Sequence, residues 1–228
     1  LIARTPEKFR EGGIEVRLNT EVASVSYEKN IVELKDGKKI PFDILVMATG
    51  TRALVPDFPG IDRPGIFTLK NLEDAIKIKS YLRENNCRKA IIIGAGFIAM
   101  EMSEALHMAG IKTTIFHRGN LPANRWDAEL SKLMLEELNN NGVEFIAGAE
   151  TSAIENGKKA PLRAVTNHGS WEADMMIVAV GVKPDVELAQ AMGLKSGTSG
   201  AIAVNFSQQT SLENVYAAGD CCESYHRV

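Results

Sequence analysis

The segment that constrains this chain most is Ala90-Ile-Ile-Ile-Gly94-Ala95-Gly96-Phe97-Ile98-Ala99. The apolar run before Gly94 reads as a short buried strand, and Phe97 to Ala109 has the apolar density of a buried helix closed by Gly110. Ile111 to Phe116 is a second β-prone run. Strand, glycine turn, helix and strand thus follow one another within about 30 residues, the span of a βαβ unit. Within it Gly94 to Ala99 fits G-x-G-x-x-G/A, a pattern in which each small residue has a task. Gly94 allows a tight strand-to-helix turn, Gly96 lets backbone N–H groups approach a pyrophosphate, and Ala99 lets the helix pack on its strand. The start of such a helix offers unpaired N–H donors and the positive end of its dipole to an anion.

The chain then continues as more of the same architecture. Leu130, Leu133, Met134 and Leu138 fall at i, i+3, i+4 and i+8, predicting an amphipathic helix that ends near Asn139-Asn140-Asn141-Gly142. Val143 to Ala147 completes a parallel three-strand core, followed by a weaker β run at Leu162 to Thr166 and a strong one at Met175 to Val180, closed by Gly181.

This second half resembles the first. Gly13-Ile-Glu-Val16 matches Gly142-Val-Glu-Phe145 at an offset of 129 residues, and Phe42-Asp-Ile-Leu-Val-Met-Ala-Thr-Gly50 matches Ala173-Asp-Met-Met-Ile-Val-Ala-Val-Gly181 at an offset of 131. Two copies of one nucleotide-binding architecture are the economical reading. Gly94 lies 48 residues before Gly142, so the equivalent glycine turn of the first copy is expected at least 35 residues ahead of Leu1. The 228 residues are therefore expected to be a piece of a longer protein.

Composition narrows the partners. With 26 Lys and Arg against 29 Asp and Glu, the net charge of −3 leaves no basic footprint for nucleic acid and no polybasic membrane anchor. The longest apolar runs are far below the ~20 residues a bilayer span needs, and Arg4, Glu7, Lys8 and Arg10 interrupt any signal-peptide core. Three cysteines, Cys87, Cys221 and Cys222, make no disulfide framework and no Cys/His cluster has metal-ligand spacing; a reducing, cytoplasmic setting is expected. At the end of the second strand, Phe116-His117-Arg118-Gly119 has no acid to accept from a ribose 2′-OH before Asp127. Arg118, with Arg125 seven residues on, instead favours a 2′-phosphate and hence NADPH over NADH.

Four motifs in chain order, Val46 to Gly50, Gly94 to Glu101, Val180-Gly-Val-Lys-Pro-Asp185 and Thr210-Ser-Leu-Glu-Asn-Val-Tyr-Ala-Ala-Gly-Asp220, together resemble the pyridine nucleotide-disulfide oxidoreductases. Ala3-Arg-Thr-Pro-Glu-Lys-Phe9 and Ile115-Phe-His-Arg-Gly119 are similar to the coenzyme A-disulfide reductase and NADH oxidase-like branch. The resemblance implies an α/β fold: a three-layer, Rossmann-like βαβ NAD(P)H-binding domain over residues 67–183, inserted in a partial, related FAD-binding domain of residues 1–66 and 184–228. It implies that Gly94, Gly96, Phe97, Ile98, Glu101, His117, Arg118, Arg125, Val180 and Gly181 surround the nicotinamide dinucleotide. Phe97 matches an aromatic that lies over the flavin and swings aside, and Glu101 matches a carboxylate facing the nicotinamide. Toward FAD, Val22 matches a position near the adenine, Ala48-Thr49-Gly50 the handover between domains, and Gly219-Asp220 the contact with the ribityl chain.

The activity this implies is an FAD-dependent NAD(P)H oxidoreductase that passes hydride from NADPH (or NADH) to flavin and on to a disulfide such as coenzyme A disulfide, in a homodimeric full-length protein. The redox cysteine is expected upstream of Leu1, with Cys87, Cys221 and Cys222 as packing residues, and His226 supports no role. Two alternatives stay open: an NAD(P)H oxidase or peroxidase acting on oxygen species, or a nucleotide-binding fragment without activity of its own.

Overall fold

Helix ends, turns and strands recur along this chain at nearly constant offset. The computed structural model describes residues 4–223; Ala3 and His226 lie outside them. The first copy runs α1 (Pro6–Glu11), β1 (Val22–Ser26), β2 (Ile31–Leu34), β3 (Lys39–Pro41) and β4 (Leu45–Met47), then β5 (Thr51–Ala53). The next stretch holds β6 (Ile66–Thr68), α2 (Leu72–Glu84), β7 (Lys89–Ile93), α3 (Phe97–Met108), β8 (Lys112–His117), α4 (Ala128–Asn140), β9 (Glu144–Ala147), β10 (Thr151–Asn156), β11 (Leu162–Thr166), β12 (Gly169–Ala173), β13 (Met175–Val178) and β14 (Val182–Pro184). It closes with α5 (Glu187–Ala191) and β15 (Val215–Ala217).

The repeat is visible in the backbone bonds. After α1, Gly13 N–H donates to the Arg10 carbonyl and Ile14 N–H to that of Phe9; after α4, Gly142 donates to Asn139 and Val143 to Leu138. Gly13 and Gly142 both have positive φ, 77° and 70°, the left-handed cap that ends a helix with its last carbonyls satisfied. The antiparallel meander β1-β2-β3 is then echoed by β10-β11-β12, and β4 by β13.

The chain divides into two compact units, residues 1–51 with 184–228 and residues 52–183. In the second, a five-stranded sheet has the order β6-β13-β7-β8-β9, with the four strand pairs parallel. Continuous burial of Ala90 to Ile93 and of Met175 to Val178 is what a parallel sheet covered on both faces requires. One face packs Ile92, Ile115, Met175 and Ile177 against Ile78 of α2, Ala99 and Leu106 of α3 and Leu138 of α4. The other packs Ile91, Phe116 and Met176 against Ile154, Leu162, Ala164 and Ala173 of the antiparallel β10-β11-β12 sheet. The layers are therefore helices, parallel sheet, antiparallel sheet.

Residues 52–66, read from sequence with the first piece, fall in this second unit. Phe58, Ile61 and Ile66 pack on its core, Ile154 N–H donates to the Pro59 carbonyl, and Arg63 Nε donates to the Ile154 carbonyl at 3.0 Å. These bonds span more than 90 residues and leave no periodic trace in the chain. The buried side of α4 also differs from its apolar stripe. Leu130 and Leu133 are exposed while Ser131 and Leu138 are buried, because Ser131 Oγ donates to the Ala123 carbonyl at 3.3 Å.

The first unit has its core in Met47, Ala189, Leu194, Ile202, Val204, Val215, Ala217 and Cys221. β4 and β15 pair in parallel, Leu45 with Val215 and Met47 with Ala217. Ile14, Ile44 and Val46 are 55, 64 and 57 % exposed here, whereas their second-copy counterparts Val143, Met175 and Ile177 are at 5, 0 and 0 %. In the second copy that face carries the α2, α3 and α4 layer; no helix covers the equivalent face among the described residues of the first.

Candidate functional site

β13, β7 and β8 are neighbours and parallel, so the segments that leave their carboxyl ends lie side by side: 179–181, 94–96 and 118–126. In open α/β sheets this edge is where ligands bind. β13 ends before Val180 because the chain there passes the glycine turn: Ala179 N–H donates to the Ile93 carbonyl at 2.8 Å, and Gly94 N–H to that of Phe116 at 2.8 Å.

The two motif glycines do different work. Gly94 has φ +109°, and a Cβ on it would lie 2.3 Å from the Ala179 carbonyl oxygen. It is required by the fold. Gly96 caps α3 with ordinary backbone angles, and a Cβ there would meet nothing within 4 Å. The space it leaves is outside the protein, over the helix N-terminus, which no side chain caps. Burial follows the same division: Gly94, Ala95 and Ala99 are buried, while Gly96, Phe97 and Ile98 are exposed. An open backbone, uncapped N–H groups and the dipole end form a cradle for an anion. Glu101, one turn along α3, is exposed, as are Val180 and Gly181.

The loop after β8 is held down on this turn. Ala123 N–H donates to the Ala95 carbonyl at 2.8 Å, and the Ala123 carbonyl accepts from Trp126 N–H at 2.8 Å and from Ser131 Oγ. Ala123 is buried and has φ +47°, a strained conformation for a residue with a Cβ, kept because bonds on both of its sides demand it. Arg118 and Arg125 stand exposed on this loop, with no carboxylate partner among the described residues. His117 behaves otherwise. Its Nε2 is enclosed without a hydrogen-bond partner and faces Gly119, where a Cβ would come within 2.9 Å of it. Burial, with Arg118 adding to it, holds the imidazole below its ordinary pKa of 6.5.

In the first unit the parallel pairing of β4 with β15 brings Ala48-Thr49-Gly50 and Ala218-Gly219-Asp220 to one strand edge, although they are about 170 residues apart. Ala218 N–H donates to the Met47 carbonyl at 2.9 Å, Thr49 Oγ1 to the Asp185 carbonyl at 2.5 Å, and Asp185 N–H to that of Gly50. Ala48, Thr49, Gly219 and Asp220 are exposed, and Gly50 and Gly219 have φ +70° and +82° with open space where a Cβ would stand. Val22 begins β1 and is half-buried. Cys87, Cys221 and Cys222 are free thiols, and burial raises the pKa of Cys87 and Cys222. Among the described residues no group of His, Cys, Asp and Glu could hold a metal, and no helix is long and apolar enough to cross a membrane.

Ala123, Trp126 and Ser131 escaped sequence reasoning. A left-handed residue is anticipated from Gly or Asn, not Ala, and a single buried serine on a helix carries no pattern. Trp126 had one signal, an aromatic beside Arg125 in a short loop between strand and helix.

A parallel sheet carrying a glycine turn into an uncapped helix makes this a Rossmann-type α/β protein. The chain belongs to the pyridine nucleotide-disulphide oxidoreductase family, whose model matches residues 3–228. It is 37% identical over 228 residues to an NAD(P)H sulfur oxidoreductase (CoA-dependent) of Pyrococcus furiosus, covering 98% of this chain and 51% of that one. It is 30% identical over 233 residues to the coenzyme A disulfide reductase of Staphylococcus aureus, with 99% and 51% covered. The crystal structure of reduced Bacillus anthracis CoADR-RHD superposes with a TM-score of 0.92 at 31% identity, covering 97% of this chain and 41% of that chain. The chain spans about half the length of the curated relatives it matches.

Proposed function

We propose that this chain is part of an FAD-dependent NAD(P)H oxidoreductase that reduces a disulfide such as coenzyme A disulfide. The observation that carries the reading is the open Gly96 turn on uncapped α3, with the Arg118 and Arg125 loop pinned beside it. The residues fit a nicotinamide dinucleotide. Backbone N–H groups of the Gly96 to Ile98 turn take the pyrophosphate, Arg118 and Arg125 take a ribose 2′-phosphate, and Val180 and Gly181 leave the strand edge open for the rest of the ligand. Glu101, exposed one turn into α3, is the carboxylate of that helix nearest its N-terminus and is the one for the nicotinamide end. His117 supports the loop as a neutral, enclosed ring rather than as a charged phosphate ligand.

Residues 1–51 with 184–228 then form part of the FAD site. Val22, Ala48, Thr49 and Gly50 line one side, and Gly219 brings the backbone of Asp220 close enough for its carboxylate to accept from a flavin hydroxyl. When bound, the nicotinamide supplies a hydride and the flavin accepts it and passes the electrons on. This chain positions those groups; the redox cysteine lies elsewhere in the full-length homodimer, because the three thiols here pack in or against the hydrophobic cores. The relatives' names, a CoA-dependent sulfur oxidoreductase and a coenzyme A disulfide reductase, favour a small sulfur compound as acceptor.

The test is calorimetric titration of the full-length flavoprotein with NADP+ and NAD+. NADP+ should bind about tenfold or more tightly, and Arg118→Glu should erase the difference. Equal affinities, or an unchanged preference in Arg118→Glu, would overturn the NADPH assignment. Failure of the yellow protein to bleach under either reduced nucleotide would overturn the oxidoreductase.

A further inference from the structure

A buried serine in a helix ordinarily bonds back to its own helix, and Ser103 does so, its Oγ donating to the Met100 carbonyl of α3 at 2.7 Å. Ser131, in the first turn of α4 and 1 % exposed, does not. Its Oγ reaches outside the helix and donates to the Ala123 carbonyl at 3.3 Å, in the β8–α4 loop. That same carbonyl closes a β-turn, accepting from Trp126 N–H at 2.8 Å, with Asn124 and Arg125 as the central residues. The N–H on the other side of Ala123 donates to the Ala95 carbonyl inside the glycine turn. One residue thus ties the Arg125 turn both to α4 and to the turn that starts α3. Ala123 holds this place at φ +47°, which a residue with a Cβ avoids unless its surroundings impose it. Arg118 stands outside the arrangement, because its end of the loop is fastened by Gly148 N–H donating to the Gly119 carbonyl at 3.3 Å.

From this geometry we infer that Ser131 is a positioning residue for nucleotide selectivity: through the Ala123 carbonyl its hydroxyl holds the turn that presents Arg125 to a ribose 2′-phosphate, and so favours NADP+ over NAD+ without touching either. The inference rests on the nucleotide site proposed above. The Arg125 side chain is exposed, so what the protein can fix in advance is the backbone that carries it. A turn already held in one position loses less freedom when its arginine closes on the phosphate, and that advantage reaches only a ligand with a phosphate there. The Ala123–Ala95 bond does not involve Ser131, so the pyrophosphate end, common to both nucleotides, keeps its geometry. Alanine at this position fills less space than serine and is the better helix former, so its effect is not that of a weakened α4.

The experiment measures the dissociation constants of NADP+ and NAD+ for the full-length flavoprotein by calorimetry. Ser131→Ala should weaken NADP+ about three- to tenfold, the range one hydrogen bond spans, and leave NAD+ within about twofold of the parent. Ser131→Thr, which keeps the hydroxyl, should retain the parent's preference. In an Arg125→Ala background Ser131→Ala should change nothing further. Equal weakening of both nucleotides is what a merely structural serine would give, and it would overturn the assignment. So would a loss of preference in Ser131→Thr, or an effect of Ser131→Ala that survives without Arg125. A parent that prefers NADP+ and keeps that preference in Ser131→Ala removes the role of Ser131 alone. A parent with no preference removes the 2′-phosphate reading itself, and the role of Ser131 with it.

Discussion

Two glycines of one motif separate fold from function. A methyl on Gly94 would run into the Ala179 carbonyl at a positive φ, so Gly94→Ala should cost more than about 3 kcal/mol in urea unfolding. A methyl on Gly96 meets open space, so Gly96→Ala should stay within about 1 kcal/mol of the parent yet lose NADP+ affinity, because in the nucleotide site proposed above the methyl would stand where the pyrophosphate approaches the backbone. Both roles are legible in the sequence, Gly94 for the turn and Gly96 for a close backbone approach; what the tertiary structure adds is the Ala179 carbonyl that excludes a methyl at Gly94 and the open space at Gly96. His117 carries a pH signature. Its folded pKa lies below the ordinary 6.5, so the unfolded chain takes up a proton that the folded chain refuses. The resulting stability is fully present above 6.5 and is lost as pH falls toward the lowered value. His117→Gln should therefore flatten the drop in urea midpoint between about pH 7.5 and 5.5.

Elements were predicted where their signal is local. The strand before Gly94, the helix after it and the strand at 111–116 lie within a residue or two of β7, α3 and β8, because buried parallel strands write continuous apolar runs; α3 is less buried than its apolar density suggests, with Ala99, Ser103 and Leu106 inside and Phe97, Ile98 and Met108 exposed. α4 was predicted as a helix, but its inward side was misjudged: its stripe includes the exposed Leu130 and Leu133, and a polar hydrogen bond rather than an apolar contact draws Ser131 inward. Asp174 shows how elements are tied at their starts. Its Oδ2 accepts from the N–H groups of Arg88 and Lys89 at 2.7 and 2.9 Å, joining the entry of β13 to that of β7. Asp174→Ala leaves both donors without that partner and should cost about 2 kcal/mol, measured by urea unfolding.

At the scale of the molecule the repeat allows one substitution to be tried in two environments. Val46 and Ile177 hold the same place in the two copies, yet one is 57 % exposed and the other fully buried. Ile177→Thr should cost about 2–3 kcal/mol, whereas Val46→Thr in this 228-residue chain should cost less than about 0.5 kcal/mol; urea midpoints of the two variants decide. The exposed Ile14, Ile44 and Val46 form the face that its counterpart fills with helices. Pattern and spacing alone determined the α/β class, the glycine turn, the two copies and the paired arginines, because these reside in neighbouring residues or in a constant offset. Tertiary structure alone decided that residues 52–66 join the second unit, that β4 and β15 bring residues 48–50 beside 218–220, and that Ala123, bonded to Ala95 and Ser131, holds the strained turn that carries Arg125. Each of these depends on hydrogen bonds and packing between residues far apart in the chain, and such contacts leave no periodicity for a sequence to display.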